Sequence, residues 1–335
     1  MKILVAGSEG SLMQWTIKHL LAEGHEVVGA DNHARYDDYD HTRVVDPERY
    51  EFKKVDLTDA KAVSNLVSTV DGIINAAALI YGVNGFHEYP ADILSNDLVV
   101  HRNLLESARE HQLDRVIYIS SSMVYEQDEP PHKEEDVWTA TIPATDYGLS
   151  KVVGERYSMA FHEQYGIDYT IWRPFNIITP FERGEKESGI SHVFADFLRK
   201  ILVERQNPLE IFGDGKQVRC FTWIDEVAEA IGSKSFDERS KNEAYNLANP
   251  EPVTMKELAR RIHKKGQEHD LVPEEELTFD YTPIYEDDVE KRVPVVEKAR
   301  QDFGWNPQMK LNDSLDQCIE NIGQVYDIDT TTRTE

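Results

Sequence analysis

The stretch VAGSEGSLM, residues 5–13, decides the fold. It closes an apolar run, KILVAG (2–7), that reads as a buried strand, and it opens a helical pattern over 11–23 that Gly24 ends. A strand turning through glycines straight into a helix aims backbone N–H groups and the positive helix end at one point, where a pyrophosphate binds. Gly7 and Gly10 fill the first two positions of G-x-x-G-x-x-G, with Ser11 and Leu12 opening the helix behind them. Met13 stands at the third position, where glycine normally allows close helix–sheet packing, so a wider or shifted contact is expected there.

Working outward, short apolar runs alternate with helical patterns. Strands are expected at HEVVGAD (25–31), YEFKKVD (50–56), VDGIINAA (70–77), DRVIYIS (114–120) and DYTIWRP (168–174). Helices are expected at 58–69, 91–112 and 146–165; in the second, Leu94, Leu98, His101, Leu104, Leu105 and Ala108 recur at helical spacing. This alternation implies right-handed βαβ units and an α/β fold, a Rossmann-like doubly wound parallel sheet. Beyond 176 the pattern loosens. A charged loop with Gly184 and Gly189 spans 182–187 and its surroundings, followed by a helix at 190–205 and a strand and turn at PLEIFGDG (208–215). A helix then starts within TWIDEVAEAI (222–231), NEAYNLAN (242–249) reads as a short strand, and 254–267 as a helix. The expected organisation is a dinucleotide-binding domain over 1–175, with 206–232 returning to it. A smaller C-terminal α/β lobe takes most of 176–325 and lies over the carboxyl ends of the strands, and 326–335 form a disordered tail.

The totals bound the class. With 335 residues, 40% of them hydrophobic, the chain can bury a substantial core. The N-terminus runs directly into a strand without a signal pattern, and no apolar run reaches about 18 residues, so a membrane span is not expected. Two cysteines far apart, Cys220 and Cys318, fit a reducing cytosol and no disulfide. Lys and Arg number 36 against 62 Asp and Glu, a net charge of −26. Such a surface repels nucleic acid and anionic lipid, so an anionic ligand has to be held by local donors against the global field. No metal site is assigned.

Asp31 ends the second strand at the distance where a carboxylate accepts hydrogen bonds from both ribose hydroxyls of an adenosine and repels a 2′-phosphate. The cofactor expected is therefore NAD rather than NADP, with Asn32 beside it and His33 and Arg35 as the basic neighbours. Asp56 and Leu57 follow the third strand, where Asp56 faces the adenine edge; Thr58 or Asp56 is also a candidate cap for the helix at 58–69. Ala76, Ala77 and Ala78 end the fourth strand with small side chains, against which a cofactor can lie flat.

Tyr147 and Lys151, at i and i+4, share a helix face. An ammonium near a phenol favours the phenolate, which prepares the tyrosine to exchange a proton with a hydroxyl near neutral pH. Together with Gly7, Gly10, Asp31, Asp56 and the serines SSS (120–122), this pair resembles the extended short-chain dehydrogenase/reductase family, in its NAD-dependent nucleotide-sugar epimerase and dehydratase branch. The resemblance covers roughly 1–310. Family members read S-S-x-x-V-Y-G after strand five; the match is Ser121-Ser122-Met123-Val124-Tyr125, with Glu126 in place of the glycine. It implies Ser121, Tyr147 and Lys151 as the catalytic residues, with Lys151 also on the nicotinamide ribose.

Further motifs resemble the same branch. RPFNIITP (173–180) resembles R-x-F-N-x-Y-G-P, which implies Asn176 on the substrate diphosphate and Pro174 and Phe175 beside the nicotinamide; Ile178-Thr179 depart from Tyr-Gly. FGDGKQVRCFTWIDEVAEA (212–230) supplies Arg219, and the segment ending in FGWNP supplies Arg292, with Val296 where the family has Asp. Two planar guanidinium forks suit a diphosphate. SNDLVVHRNLLESAR resembles N-x-x-G-T-x-N-L-L-E-A-A-R, its leading Asn aligned with Asp97 and Asn96 one residue off. Tyr81, in LIYGVNGF (79–86), and Ser122 and Met123 line the expected sugar pocket.

The departures narrow the chemistry. The branch's 4,6-dehydratases carry an Asp-Glu pair after the reactive hydroxyl, where this chain has Ser122-Met123. Its C3/C5 epimerases carry a cysteine, and its pentose-forming decarboxylases a glutamate, at the position of Met123. The reading is a C4 epimerase acting on a nucleotide-diphosphate sugar through a transient 4-keto sugar. A 4-keto reductase or dehydratase of the same fold, with Tyr125 or Glu126 as further acid/base groups, and a non-catalytic NAD-binding sensor are the alternatives. The resemblance also implies a homodimer through the helices at 91–112 and 146–165.

Overall fold

The computed structural model describes residues 1–34, 48–126, 128–185, 191–283 and 289–326; Arg35, Gly189 and the expected tail beyond Tyr326 lie outside them. The first half runs β1 (Lys2–Ala6), α1 (Ser11–Ala22), β2 (Glu26–Asp31), β3 (Tyr50–Lys54), α2 (Ala60–Val67), β4 (Gly72–Asn75), α3 (Val83–Glu88), α4 (Pro90–Glu110), β5 (Arg115–Ile119), α5 (Asp146–Tyr165) and β6 (Asp168–Pro174). The second runs β7 (Ile177–Ile178), α6 (Val193–Leu198), β8 (Leu209–Phe212), β9 (Val218–Cys220), β10 (Thr222–Trp223), α7 (Ile224–Lys234), β11 (Glu243–Leu247), β12 (Pro252–Thr254), α8 (Met255–Glu268), β13 (Phe279–Thr282), β14 (Lys291–Arg292), α9 (Glu297–Phe303) and α10 (Leu311–Tyr326).

A seven-stranded sheet, ordered β11-β6-β5-β4-β1-β2-β3 with every pair parallel, forms the larger layer. Its central strands β1, β4 and β5 are buried along most of their length because helices cover both faces, while the edge strand β3 exposes Glu51, Lys53 and Lys54. Ile3 and Val5 of β1 pack with Ile17 of α1 and Ile231 of α7 on one side, while Leu4 and Ala6 pack with Val63 and Leu104 on the other. That alternation is the two-residue period of a strand. Met13 is buried in the first of these layers, its thioether taking the space a third glycine would have left.

The lobe has its own core, with Phe194, Phe197, Leu209, Phe221, Leu258 and Ile319 among its members. β8 pairs with β13, and β9 lies between β12 and β14. Within 206–232, α7 packs against α1 of the main domain, whereas β8 and β9 pair in the lobe. β11, inside the segment read mostly as lobe, returns to complete the main sheet beside β6. Local caps also differ from expectation. α2 is capped by Asp59, whose carboxylate accepts from the Lys61 and Ala62 amides, and not by Asp56 or Thr58. The short elements β7, β10 and β14 carry too few residues for a periodic signal.

Candidate active site

The carboxyl ends of β1, β2, β4 and β5 open into one cavity of about 730 Å³ that continues under the lobe. At one end is the glycine turn. Gly7 has φ +77°, and a Cβ there would sit 2.8 Å from the Ala77 amide nitrogen, so the turn lies flat on the end of β4 and admits only glycine. Gly10 caps α1 without any side-chain hydrogen bond, which leaves the helix N-terminus to a ligand rather than to its own residues. Ser11 and Leu12 line the same wall, and Ala76, Ala77 and Ala78 form the floor.

Asp31 ends β2 with its carboxylate fixed by two backbone donors, the amides of His33 at 2.8 Å and Glu9 at 3.2 Å. Asn32 and Leu57 border it in the cavity wall. His33 is stacked on Phe52, 5.0 Å between centroids. Asp56 accepts from the amide and hydroxyl of Thr58, which turns the chain while leaving Asp56 on the cavity wall. These residues fit a dinucleotide: a glycine-tight turn, an uncapped helix start and an anchored acid at the second strand.

Further in, Ser120 and Ser121 take different tasks. Ser120 donates to Glu155 Oε1 at 2.6 Å, and Glu155 in turn holds Arg173 in a wholly buried ion pair at 2.7 Å. Ser121 caps a 3₁₀ turn, Ser122–Tyr125, its Oγ accepting from the Met123 amide at 3.2 Å. That bond does not use the hydroxyl proton, and Ser121 faces the cavity with Ser122 and Met123 beside it.

Tyr147 is the second residue of α5 and stacks on Phe86, 4.8 Å between centroids and 10° between planes. Lys151, one turn on, is 3% exposed; its Nζ donates to the Ile119 carbonyl at 3.4 Å and lies 5.4 Å from the ring centroids of both Tyr118 and Tyr147. Burial lowers the Lys151 pKa, opposed by the negative charges of Asp97 and Glu155. Asp97 is buried, accepting from the Leu79 amide at 3.0 Å and the Ser150 hydroxyl at 3.3 Å. Its pKa is raised by burial, against the pull of the Lys151 ammonium. The inward-facing member of the Asn96-Asp97 pair is therefore Asp97, while Asn96 lines the cavity.

At the lobe end, Arg219 and Arg292 both border the cavity, and both are buried. Tyr81 lines the wall between, its ring 5.1 Å from that of Tyr89. Asn176 has φ +21° and donates to the Cys220 carbonyl at 3.2 Å, so its amide nitrogen ties β7 to β9 while the residue lines the cavity. Two expectations are corrected. Pro174 borders the cavity, but Phe175, next along the chain, points to the opposite side and is wholly buried against Tyr125 and Val124. Tyr125 is likewise wholly buried, donating to Asn246 Oδ1 and accepting from Arg173, and burial raises its pKa. It is part of the core and not an acid/base group. The stacking partner Phe86 was missed as a functional neighbour; Asp97, which the sequence aligns with the family's leading Asn, sits buried beside Lys151.

A family model described as the NAD dependent epimerase/dehydratase family matches residues 3–248, and the chain belongs to this family. It is an NAD-dependent enzyme of the nucleotide-sugar epimerase and dehydratase class. It is 29% identical to GDP-mannose 3,5-epimerase 1 of Oryza sativa subsp. indica over 324 residues, covering 94% of this chain and 80% of the relative. It is 27% identical to a UDP-glucuronate 4-epimerase of Thermodesulfobacterium geofontis, covering 97% and 98%. Among solved structures it superposes with a TM-score of 0.81 on a UDP-glucuronic acid 4-epimerase from Bacillus cereus, at 23% identity, covering 97% of this chain and all of the other.

Proposed function

We propose that this protein is a nucleotide-sugar 4-epimerase working through a transient 4-keto sugar. The observation that carries the reading is the set of side chains around Ser121. Ser122 and Met123 supply a hydroxyl and a thioether, neither of which removes a carbon-bound proton. The thiol of a C3/C5 epimerase and the Asp-Glu pair of a 4,6-dehydratase have no counterpart there, despite the similarity to a 3,5-epimerase. Glu126 also reaches the cavity, but both its oxygens accept hydrogen bonds from Thr145, which weakens it as a base.

The glycine turn, Asp31 and Lys151 would hold NAD, which when bound supplies the acceptor and then the donor of one hydride. Tyr147 removes the proton of the C4 hydroxyl as that carbon is oxidised, and returns it once the keto sugar has presented its other face. Lys151 keeps a positive charge beside the phenol through both half-reactions, and Ser121 donates to the reacting oxygen. Phe86, flat against the Tyr147 ring, limits its rotation. Arg219 and Arg292 hold the substrate diphosphate, leaving the hexose free to turn. The reading extends to a homodimer through α4 and α5, which pack along one another, and to a reducing cytosol, which two buried free thiols fit. Light scattering and cell fractionation test these two points.

The decisive experiment is incubation with UDP-, GDP-, CDP- and dTDP-hexoses and catalytic NAD, read by mass and NMR. An unchanged mass with an inverted C4 proton is expected. Loss of the mass of water would instead make the protein a dehydratase, and in a parallel incubation with NAD(P)H and a 4-keto sugar nucleotide, a gain of two hydrogens with stoichiometric NAD(P)H consumption would make it a reductase.

A further inference from the structure

Glu126 stands where the resembling family has glycine, and a glycine has no side chain to do what this one does. Its carboxylate is buried, with Oε2 accepting from the Thr145 amide at 2.9 Å and Oε1 from the Thr145 hydroxyl at 2.8 Å. Thr145 is the N-cap of α5, and its Oγ accepts in turn from the Gly148 amide at 3.1 Å. The chain from carboxylate to hydroxyl to helix amide is charge-assisted, and it places a negative group at a helix N-terminus. Tyr147 lies inside that first turn.

The other end of the strap reaches Ser121. The 3₁₀ turn that Ser121 caps closes with the Glu126 amide donating to the Met123 carbonyl at 3.3 Å. Gly148 gives independent evidence of the close fit. A Cβ there would meet the Met123 carbonyl oxygen at 2.8 Å, Pro143 at 2.8 Å and Glu126 Oε2 at 3.1 Å. The serine turn and the start of the tyrosine helix are thus pressed together, with Glu126 bonded across the seam.

We infer that Glu126 is a positioning residue that fixes the Ser121 hydroxyl relative to the Tyr147 phenol, a role that rests on the assignment of those two groups to the C4 oxygen. Displacement of about 1 Å at a reacting centre lowers turnover about a hundred-fold.

The test compares wild type with Glu126→Gln, Glu126→Gly, Thr145→Val, Thr145→Ser and the Glu126→Gln/Thr145→Val double variant, all with NAD bound. For the sugar nucleotide turned over in the panel, kcat is expected to fall about ten- to a hundred-fold in the Gln and Val variants. KM and NAD affinity stay near wild type, Thr145→Ser restores kcat, and the double variant is no worse than the poorer single one. Hydrogen exchange needs no turnover: the Gly148 amide is expected to exchange about ten-fold faster in Glu126→Gln and Thr145→Val. Unchanged exchange, wild-type kcat in Glu126→Gly, or a parallel loss of NAD affinity and melting temperature would each overturn the inference. Tyr147→Phe, run alongside, separates the two claims. If it turns over normally, the assignment of Tyr147 fails; if it is inactive while Glu126→Gln is normal, only the positioning role fails.

Discussion

Arg292 on β14 lies directly opposite Arg219 on β9, in register across a parallel pair. Paired residues on neighbouring strands send their side chains to the same face, and like charges so placed repel. In a chain of net charge −26, two buried guanidinium groups brought together on a cavity wall would form the local anion site that the proposed function needs. A diphosphate bound there would relieve their repulsion and receive two planar forks. Hydrogen bonds to charged groups are worth about 1.5–3 kcal/mol each. Arg219→Met and Arg292→Met are therefore each expected to weaken binding of nucleoside diphosphates at least ten-fold, with smaller effects on kcat. Calorimetric titration with UDP and GDP checks this; unchanged affinity in both variants would remove the arginines from the substrate site.

Tyr147 and Lys151 are expected to divide their effects differently. Tyr147→Phe keeps the ring stacked on Phe86 and deletes only the hydroxyl proposed to move the proton. Its kcat is expected to fall about 10²- to 10⁴-fold, the usual range for general acid–base catalysis, while NAD still binds. Lys151→Met is expected to lose NAD affinity as well, because in the proposed mechanism its ammonium serves both the phenol and the ribose. Turnover and fluorescence titration with NADH separate the two outcomes.

Asp31 is expected to govern the choice of dinucleotide. The backbone amides of Glu9 and His33 hold its carboxylate at the end of β2. Replacing it with Ser removes the charge that repels a 2′-phosphate and shortens the acceptor to ribose. The ratio of NAD to NADP affinity is expected to fall at least ten-fold in Asp31→Ser. An unchanged ratio in competitive binding would place discrimination elsewhere.

How much of this was legible from sequence follows from what each feature depends on. Buried parallel strands and amphipathic helices leave periodic traces, so β1–β6 and α1, α2, α4 and α5 could be read, while the six-residue α3 was too short to leave one. The glycine turn and the Tyr147–Lys151 spacing are local geometries and could be read too. Phe175 was misplaced because a motif fixes neighbours along the chain, while strand alternation sends adjacent side chains to opposite faces. Opposition of Arg219 and Arg292 depends on a register between two- and three-residue strands far apart in sequence, for which no periodic signal exists. The tasks of Ser120 and Glu126 likewise appear only when Glu155 and Thr145 are brought beside them in space.

The electrostatics of Lys151 give a signed pH prediction. Burial lowers its pKa, and the negative charge of Asp97 opposes that effect, so Asp97 extends the pH range over which Lys151 remains an ammonium. Asp97→Asn keeps an oxygen for the Leu79 amide but removes the charge. Without it, Glu155 alone opposes burial, and Lys151 loses its proton at a lower pH than in the wild type. If Tyr147 needs that ammonium beside it, the alkaline limb of kcat moves to lower pH in Asp97→Asn, while activity well below that limb changes less. A full pH–rate profile of both proteins, with melting temperatures recorded at each pH, checks this. A limb that stays in place, in a variant that remains folded, would show that Asp97 serves only to join α4, α5 and the loop after β4.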